Sequence, residues 1–360
     1  MRDKTLITGS GLLKPTRRSV LKVTAGAAAL SFPGPFISRA HARDVLYVNT
    51  WGGPWEESAK ANLFEPFMRE NDVEIKTVSP VSFAKLAAQV KTGVYEFDVT
   101  TLGDADIVRA NEAGLLEDVS KAPLDKSKLW DGAIFQNGVA SHAFATLISY
   151  RKDKFPNGGP KTWADFFDPI KFPGSRCLQR HAGRVLAIAL LADGVAPDKL
   201  FPMDLDRAFA KLDKIKPHIR VWWTQGPQSG QLLRDGEVDM IGIWQTYPVR
   251  LIREGQPVEM IWDKALLDRA YWVVAKGSPR AALAWKFVQT AVRGENVSKF
   301  SLANVYGPLN PDAFKHISPE DAKLMPTSPE NFKKVVLQDT SKASDQLAEA
   351  SKQFDRWIAR

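Results

Sequence analysis

Val45-Leu46-Tyr47-Val48-Asn49-Thr50-Trp51-Gly52-Gly53-Pro54-Trp55 sets how the chain starts to fold. Its first four residues are a short apolar run of strand type, and Gly52-Gly53-Pro54 breaks it. Residues 55–70 follow with Trp55, Ala59, Phe64 and Phe67 near helical spacing. The pattern then repeats. Residues 73–78 alternate like a strand, and residues 83–90 read as a helix ended by Gly93. Phe97-Asp98-Val99-Thr100-Thr101-Leu102 is a strand, and residues 104–113 form a helix closed by Gly114. This βαβαβα order predicts an α/β fold whose sheet is mostly parallel, with helices on both faces.

Residues 144–150 read as a further strand, and the breaker-rich loop Phe155-Pro156-Asn157-Gly158-Gly159-Pro160 opens a second unit. Thr162-Trp163-Ala164-Asp165 has the form of a capping box at a helix start. Cys177-Leu178 is a strand end, followed by a helix over residues 182–192 that stops at Asp193-Gly194. Leu205, Ala208, Leu212 and Ile215 mark an amphipathic helix, and residues 219–223 and 238–243 are strands around a helix near 228–234. A strand is expected at 271–275 and a helix at 280–293. Ser318-Pro319-Glu320 and Ser328-Pro329-Glu330 read as capped helix starts with proline in the first turn, and residues 341–358 as a last helix. Two α/β units joined by strands predict two lobes with a cleft between them, a common place for a small-molecule site.

The chain has 360 residues, 44% of them hydrophobic and 25% charged. That is a soluble globular profile and excludes disordered, collagen-like and coiled-coil chains. The net charge of +8 points at first to nucleic acid or membrane. Residues 1–42, however, hold seven Lys/Arg against one acid, so the remaining 42 bases and 40 acids net only +2. No nucleic-acid partner is therefore expected. Thr16-Arg17-Arg18-Ser19-Val20-Leu21-Lys22 is a twin-arginine pattern, followed by a weakly apolar stretch over 23–32 and the small-x-small site Ala40-His41-Ala42. This is the order of an export signal. It predicts passage through the twin-arginine translocase and a mature periplasmic chain from Arg43.

Cys177 is the single cysteine, so no intramolecular disulfide can form. His142, His181, His218 and His316 are the mature histidines, and the sequence carries no His-x-x-x-His, Cys-x-x-Cys, Gly-x-Ser-x-Gly or phosphate-loop pattern. Metal and thiol enzymes are thereby disfavoured. No cofactor or metal is expected, while carboxylate-based catalysis stays open as a twin-arginine-exported enzyme.

Several segments resemble the periplasmic substrate-binding proteins of ABC importers, in the branch that includes the spermidine/putrescine binders. They are Tyr47-Val48-Asn49-Thr50-Trp51-Gly52-Gly53, Glu96-Phe97-Asp98-Val99, Gly114-Leu115-Leu116, Ser149-Tyr150-Arg151 and Lys161-Thr162-Trp163-Ala164-Asp165. Gly236-Glu237-Val238-Asp239, Ile243-Trp244, Val274-Ala275-Lys276-Gly277-Ser278 and Tyr306-Gly307-Pro308-Leu309-Asn310 complete the set, spread over nearly the whole mature chain. The resemblance implies a two-lobed, type II-like periplasmic-binding fold, each lobe a mostly parallel sheet with flanking helices, closing on a hinge. On this reading residues 43–147 and 275–311 form lobe one and residues 148–274 lobe two, with 312–360 as C-terminal helices packed on the lobes. It implies a small-molecule ligand, an inner-membrane ABC permease as partner, a monomer, and no chemical conversion. The ligand shell carried over by motif is Trp51, Gly52, Gly53, Gly103 and Asp104 on lobe one. On lobe two it is the 179–184 segment, Trp223, Thr224, Trp244, Gln245 and Tyr271.

Polyamine binders place carboxylates just after the strand that follows the Trp-Asp motif. Here that segment reads Gln179-Arg180-His181-Ala182-Gly183-Arg184, with no acid and two arginines. A polyamine would meet like charge there, whereas an anion would also gain from the N-terminus of the helix. Arg184 in a two-pronged contact with a carboxylate would contribute roughly 1.5–3 kcal/mol. The expected ligand is anionic or zwitterionic, with a carboxylate-like head and an apolar or aromatic body stacked on Trp51, Trp223 or Trp244. Polyamine is the alternative within the class. Ferric ion is disfavoured, because lobe two has no adjacent tyrosine pair. Simpler readings stand beside these roles. Trp130, Trp163, Trp262, Trp285 and Trp357 read as core. Alternation sends Trp222 and Trp223 to opposite faces, so at most one reaches a ligand. Arg180 and Arg184 could pair with lobe-surface acids, His181 could cap its helix, and Asp104 could serve as a helix cap.

Overall fold

The computed structural model describes residues 43–338 and 340–360, the final stretch with side chains from residue 346 onward. The export signal expected over residues 1–42 lies outside the described residues. The strands are β1 (Asp44–Asn49), β2 (Val73–Val78), β3 (Val99–Gly103), β4 (Ile134–Phe135), β5 (Gly138–Arg151), β6 (Arg176–Gln179), β7 (Ile219–Trp223), β8 (Met240–Trp244), β9 (Val258–Val274) and β10 (Val336–Leu337). They run in the order β2-β1-β3-β9-β5-β8-β6-β7, with β10 on β9 and β4 on β5.

The parallel sheet expected from the βα alternation is present twice. β1 pairs in parallel with β2 and β3, and β6 with β7 and β8. Between these two trios lie β5 and β9, long strands that are antiparallel to each other and to β3 and β8. The lobe built on β1–β3 and the lobe built on β6–β8 are thus joined through these two strands. Apolar side chains fill both faces. Leu46, Val48, Phe64, Phe67, Trp272, Trp285 and Phe287 pack under the first lobe. Trp163, Phe166, Leu178 and the helix Ala182–Ala192 pack under the second. A third cluster, including Phe97, Leu147, Trp223, Ile243 and Tyr271, runs along both.

Local signals mostly explain the elements. Ser82 caps the helix Phe83–Thr92, which Gly93 ends in the left-handed region at φ 72°. Thr162 and Asp165 form the reciprocal capping box. Two helices were not legible: Thr246–Arg253 and Gly294–Asn304. Pro248 and Gly294 stand in the first turns of these helices, where proline's missing N–H costs no intrahelical bond. The helix expected at Ser328-Pro329-Glu330 does not form. That stretch is a run of turns, closed by the Asn331 amide donating to the Lys323 and Met325 carbonyls at 2.9 Å each. The strand expected at 271–275 is the end of a 17-residue strand. Asp263 and Lys264 in its middle, the latter at φ 48°, mask its continuity.

Candidate functional site

A cavity of about 440 Å³ opens where the two lobes face each other. The loop after β1 supplies Trp51, which is 51% exposed, and the helix Gly53–Ala59 that follows supplies Trp55. The end of β3 and the helix Asp104–Glu112 supply Gly103, Asp104 and Asp106. The first turn of the helix Ala182–Ala192 supplies Gly183 and Arg184, with His181 as its cap. The joining strands add His142 and Phe144 from β5, and Asp268, Arg269 and Ala270 from β9. At His142 the β5–β9 pairing slips by a residue: Ala140 faces Tyr271, but His142 faces Ala270. Such a bulge re-aims a side chain next to a site.

The polar geometry centres on two neighbours of opposite charge, Asp268 and Arg269. Asp268 takes a two-pronged contact from Arg184 of the second lobe, Nε to Oδ2 at 3.1 Å and Nη2 to Oδ1 at 3.0 Å. Arg269 pairs with Asp104 of the first lobe, its backbone N–H donating to Oδ2 at 2.7 Å and Nε to Oδ1 at 3.1 Å. Both pairs are largely withdrawn from water. Tyr271 supports Asp104 from behind, its hydroxyl donating to Oδ1 at 3.2 Å. Burial lifts the Asp104 carboxyl to about 6 against the pull of Arg269, and the negative charge of Asp268 adds to the lift. Burial pushes the His142 ring down to about 3 and the Tyr306 phenol up to about 12. These two stacked rings, 4.2 Å apart, are a neutral wall at neutral pH. Asp106, at the rim, pairs with Arg109 at 3.0 Å. Among the described residues, the cavity wall therefore presents two guanidinium groups each paired with a largely buried carboxylate, beside an aromatic surface.

Six of the residues expected at the site line this cavity: Trp51, Gly103, Asp104, His181, Gly183 and Arg184. His181 caps its helix through Nδ1, which accepts from the Arg184 N–H at 3.3 Å. Asp104 is not the cap of its helix; Gly103 holds that position, and the Asp104 carboxylate is turned onto Arg269. The others stand elsewhere. Arg180 points away and pairs with Asp355 at 3.0 Å, so the expected cationic floor loses one of its two arginines. Trp223 is fully buried, its indole N–H donating to the Gly242 carbonyl at 2.9 Å. Trp222 packs on the opposite face against Phe354 and Trp357, as strand alternation requires. Trp244 meets Trp223 edge to face in the core and backs the cavity from behind, through Phe144 at 5.9 Å and the Arg184 guanidinium 5.6 Å over its ring. Thr224 is exposed and its N–H donates to Gln228 Oε1 at 3.1 Å.

Gln245 is buried and clamps backbone: Oε1 accepts from Ala145 N–H at 2.6 Å and Nε2 donates to the Val305 carbonyl at 2.9 Å. Val305 sits at φ 57°, a strained position for a β-branched residue, and the turn it makes presents Tyr306 to the cavity. Tyr271 lies behind Asp104 rather than on the wall. Gly52 (φ 75°) and Gly53 (φ 53°) shape the turn before the first helix without lining the cavity.

Trp55, His142, Phe144, Asp268, Arg269 and Tyr306 line the cavity and were not read from the sequence. A signal existed for two of them. Asp268-Arg269 lies inside the apolar run Ala265-Leu266-Leu267…Ala270-Tyr271-Trp272-Val273-Val274. Charges inside a buried strand need partners, and so mark a site.

A two-lobed α/β fold with a polar cavity between its lobes defines a solute receptor. The chain belongs to the family described as bacterial extracellular solute-binding protein, whose model matches residues 62–327. It is 31% identical over 322 residues to the gamma-aminobutyric acid-binding protein of Pseudomonas aeruginosa, covering 88% of this chain and 91% of that one. It is 24% identical to the spermidine/putrescine-binding periplasmic protein of Escherichia coli, over 83% of this chain and 86% of that one. A crystal structure of an ABC transporter substrate-binding protein from Bradyrhizobium japonicum superposes with a TM-score of 0.80 at 34% identity, covering 88% of this chain and 99% of that one. No described helix is long and apolar enough to cross a membrane.

Proposed function

We propose that the chain is the periplasmic receptor of an ABC importer for a small ω-amino acid, a zwitterion of the 4-aminobutanoate kind. The observation that carries this reading is the charge-balanced cavity, with Arg184 and Arg269 beside Asp104 and Asp268. A ligand carboxylate adds to Arg184 at the helix N-terminus, where the backbone N–H groups also favour it. A ligand ammonium sits between the Asp104 and Asp268 carboxylates, whose mutual repulsion it relieves. The aliphatic spacer lies on Trp51, Trp55 and Phe144. A purely anionic ligand has no use for the two aspartates, and a polyamine meets two guanidinium groups. The relative named for gamma-aminobutyric acid supports the same choice. The protein is read as a monomer that hands its ligand on unchanged to an inner-membrane permease, after export by the twin-arginine route.

The test is a thermal-shift and calorimetric comparison of 4-aminobutanoate, 5-aminopentanoate, butanoate, putrescine and spermidine. An ω-amino acid at 100 times its Kd adds about 2.7 kcal/mol of stability. Tighter binding of butanoate or of either polyamine overturns the assignment.

A further inference from the structure

The C-terminal segment lies beyond the family-matched region, and it reaches the cavity twice. β10 lies parallel on β9 opposite Leu266 and Leu267. The next residue, Gln338, is 6% exposed and lies in the cavity wall. Its side-chain Nε2 donates to Asp268 Oδ1 at 3.0 Å, and its backbone carbonyl accepts from Arg269 Nη2 at 3.4 Å. One residue thus holds both members of the charged neighbour pair.

The helix Thr340–Ile358 then packs against both the first-lobe helix Asp104–Glu112 and the second-lobe helix Ala182–Ala192. From it Leu347 reaches the cavity over Gly183. A Cβ on Gly183 would stand 2.9 Å from Leu347 Cδ2, so the glycine leaves the room that this side chain occupies. Among the described residues, the outward hydrogen bonds of 346–360 run to Met203, Arg180, Asp213 and Lys216. All four belong to the second lobe, so the described part of the helix is hydrogen-bonded to that lobe while its backbone also packs on the first-lobe helix Asp104–Glu112.

We propose that this C-terminal strap is part of the ligand site: the Gln338 side chain is a positioning group for Asp268, and Leu347 is a wall that sets the ligand length admitted. The proposal rests on the ω-amino acid reading for its choice of probe. Calorimetry of 3-aminopropanoate, 4-aminobutanoate, 5-aminopentanoate and 6-aminohexanoate against wild type, Q338A and L347A tests it. In Q338A the affinity for the preferred member falls about tenfold, while the melting temperature of the unliganded protein stays within about 2 °C of wild type. In L347A the preference moves to a longer member.

A second arm needs no ligand. Ala270→Cys places a thiol in the cavity wall, on a background where Cys177 is buried and its thiol pushed up to about 12. Modification by methyl methanethiosulfonate is at least fivefold faster in A270C/L347A than in A270C. Unchanged length preference and unchanged thiol rate overturn the wall, and unchanged affinity in Q338A overturns the positioning role. If wild type binds none of the series, the ligand reading fails and the strap is judged on the thiol rates alone.

Discussion

Lowering the pH from 7 to 5 should weaken 4-aminobutanoate binding about tenfold, and Asp104 should be the reason. Its carboxyl is 6% exposed and lifted to about 6, chiefly by burial, with the nearby Asp268 charge adding to the lift. An ammonium beside it needs the ionised form. A group titrating near 6 is about nine-tenths ionised at pH 7 and about one-tenth at pH 5, a loss of about 1.4 kcal/mol of binding. The ligand's own carboxyl, titrating near 4.3 as glutamate does, stays mostly charged over this range. Binding at pH 6 should release part of a proton, seen as a buffer-dependent enthalpy in calorimetry. Butanoate, which lacks the ammonium, should bind no worse at pH 5, since protonation removes a repelling charge.

The unliganded protein should respond in the opposite sense. The folded carboxyl titrates above its unfolded value, so this group's contribution to stability falls as pH rises from about 4 to 6, by about 3 kcal/mol in all. Asp104→Asn should flatten both dependences. A 4-aminobutanoate affinity that is constant between pH 5 and 7, or that rises in acid, would refute the placement of the ammonium.

Three further outcomes follow from the same geometry. Asp268→Asn leaves Arg184 without its counter-charge, so the affinity ratio of 4-aminobutanoate to butanoate should fall at least tenfold by calorimetry, in line with a charged hydrogen bond of about 1.5–3 kcal/mol; equal losses for both ligands would contradict it. Arg176 is fully buried and donates to the carbonyls of Phe166, Asp168, Phe172 and Gly174, so Arg176→Met should cost about 3 kcal/mol or more in urea unfolding, because several buried acceptors lose their donor at once. Thr162→Ala removes one half of the capping box and should cost about 1 kcal/mol, with ligand affinity unchanged because the helix lies away from the cavity.

What the sequence could and could not reveal divides along the range of the interactions. Elements set by neighbours in the chain were legible: the Gly93 stop, the Thr162 capping box, the helix over 182–192, and the opposite-face placement of Trp222 and Trp223. Motif position also brought Trp51, Gly103, Asp104, His181 and Arg184 to the wall of one cavity, because loops at strand ends face the cleft in this fold. Charge was the quantity that local reading could not settle. Arg180 and Arg184 stand four residues apart at the head of one helix, and in sequence they look equivalent. In space one meets Asp355, 175 residues away, and the other Asp268, 84 residues away.

A local count of acids over 179–184 therefore gave a cationic pocket, while the neutralising carboxylates arrive on β3's following helix and on β9. This matters for specificity. With both guanidinium groups free, any small anion would find a favourable place, and selection would rest on shape alone. Two mutually satisfied pairs make the empty site electrostatically content, so a ligand gains only if it offers something to each sign of charge. A lone carboxylate crowds the aspartates and a lone ammonium crowds the arginines. The fold places Asp268 and Arg269 side by side on the strand that joins the lobes, so on the proposed reading one strand presents a charge of each sign to the ligand, each already met by a partner from a different lobe.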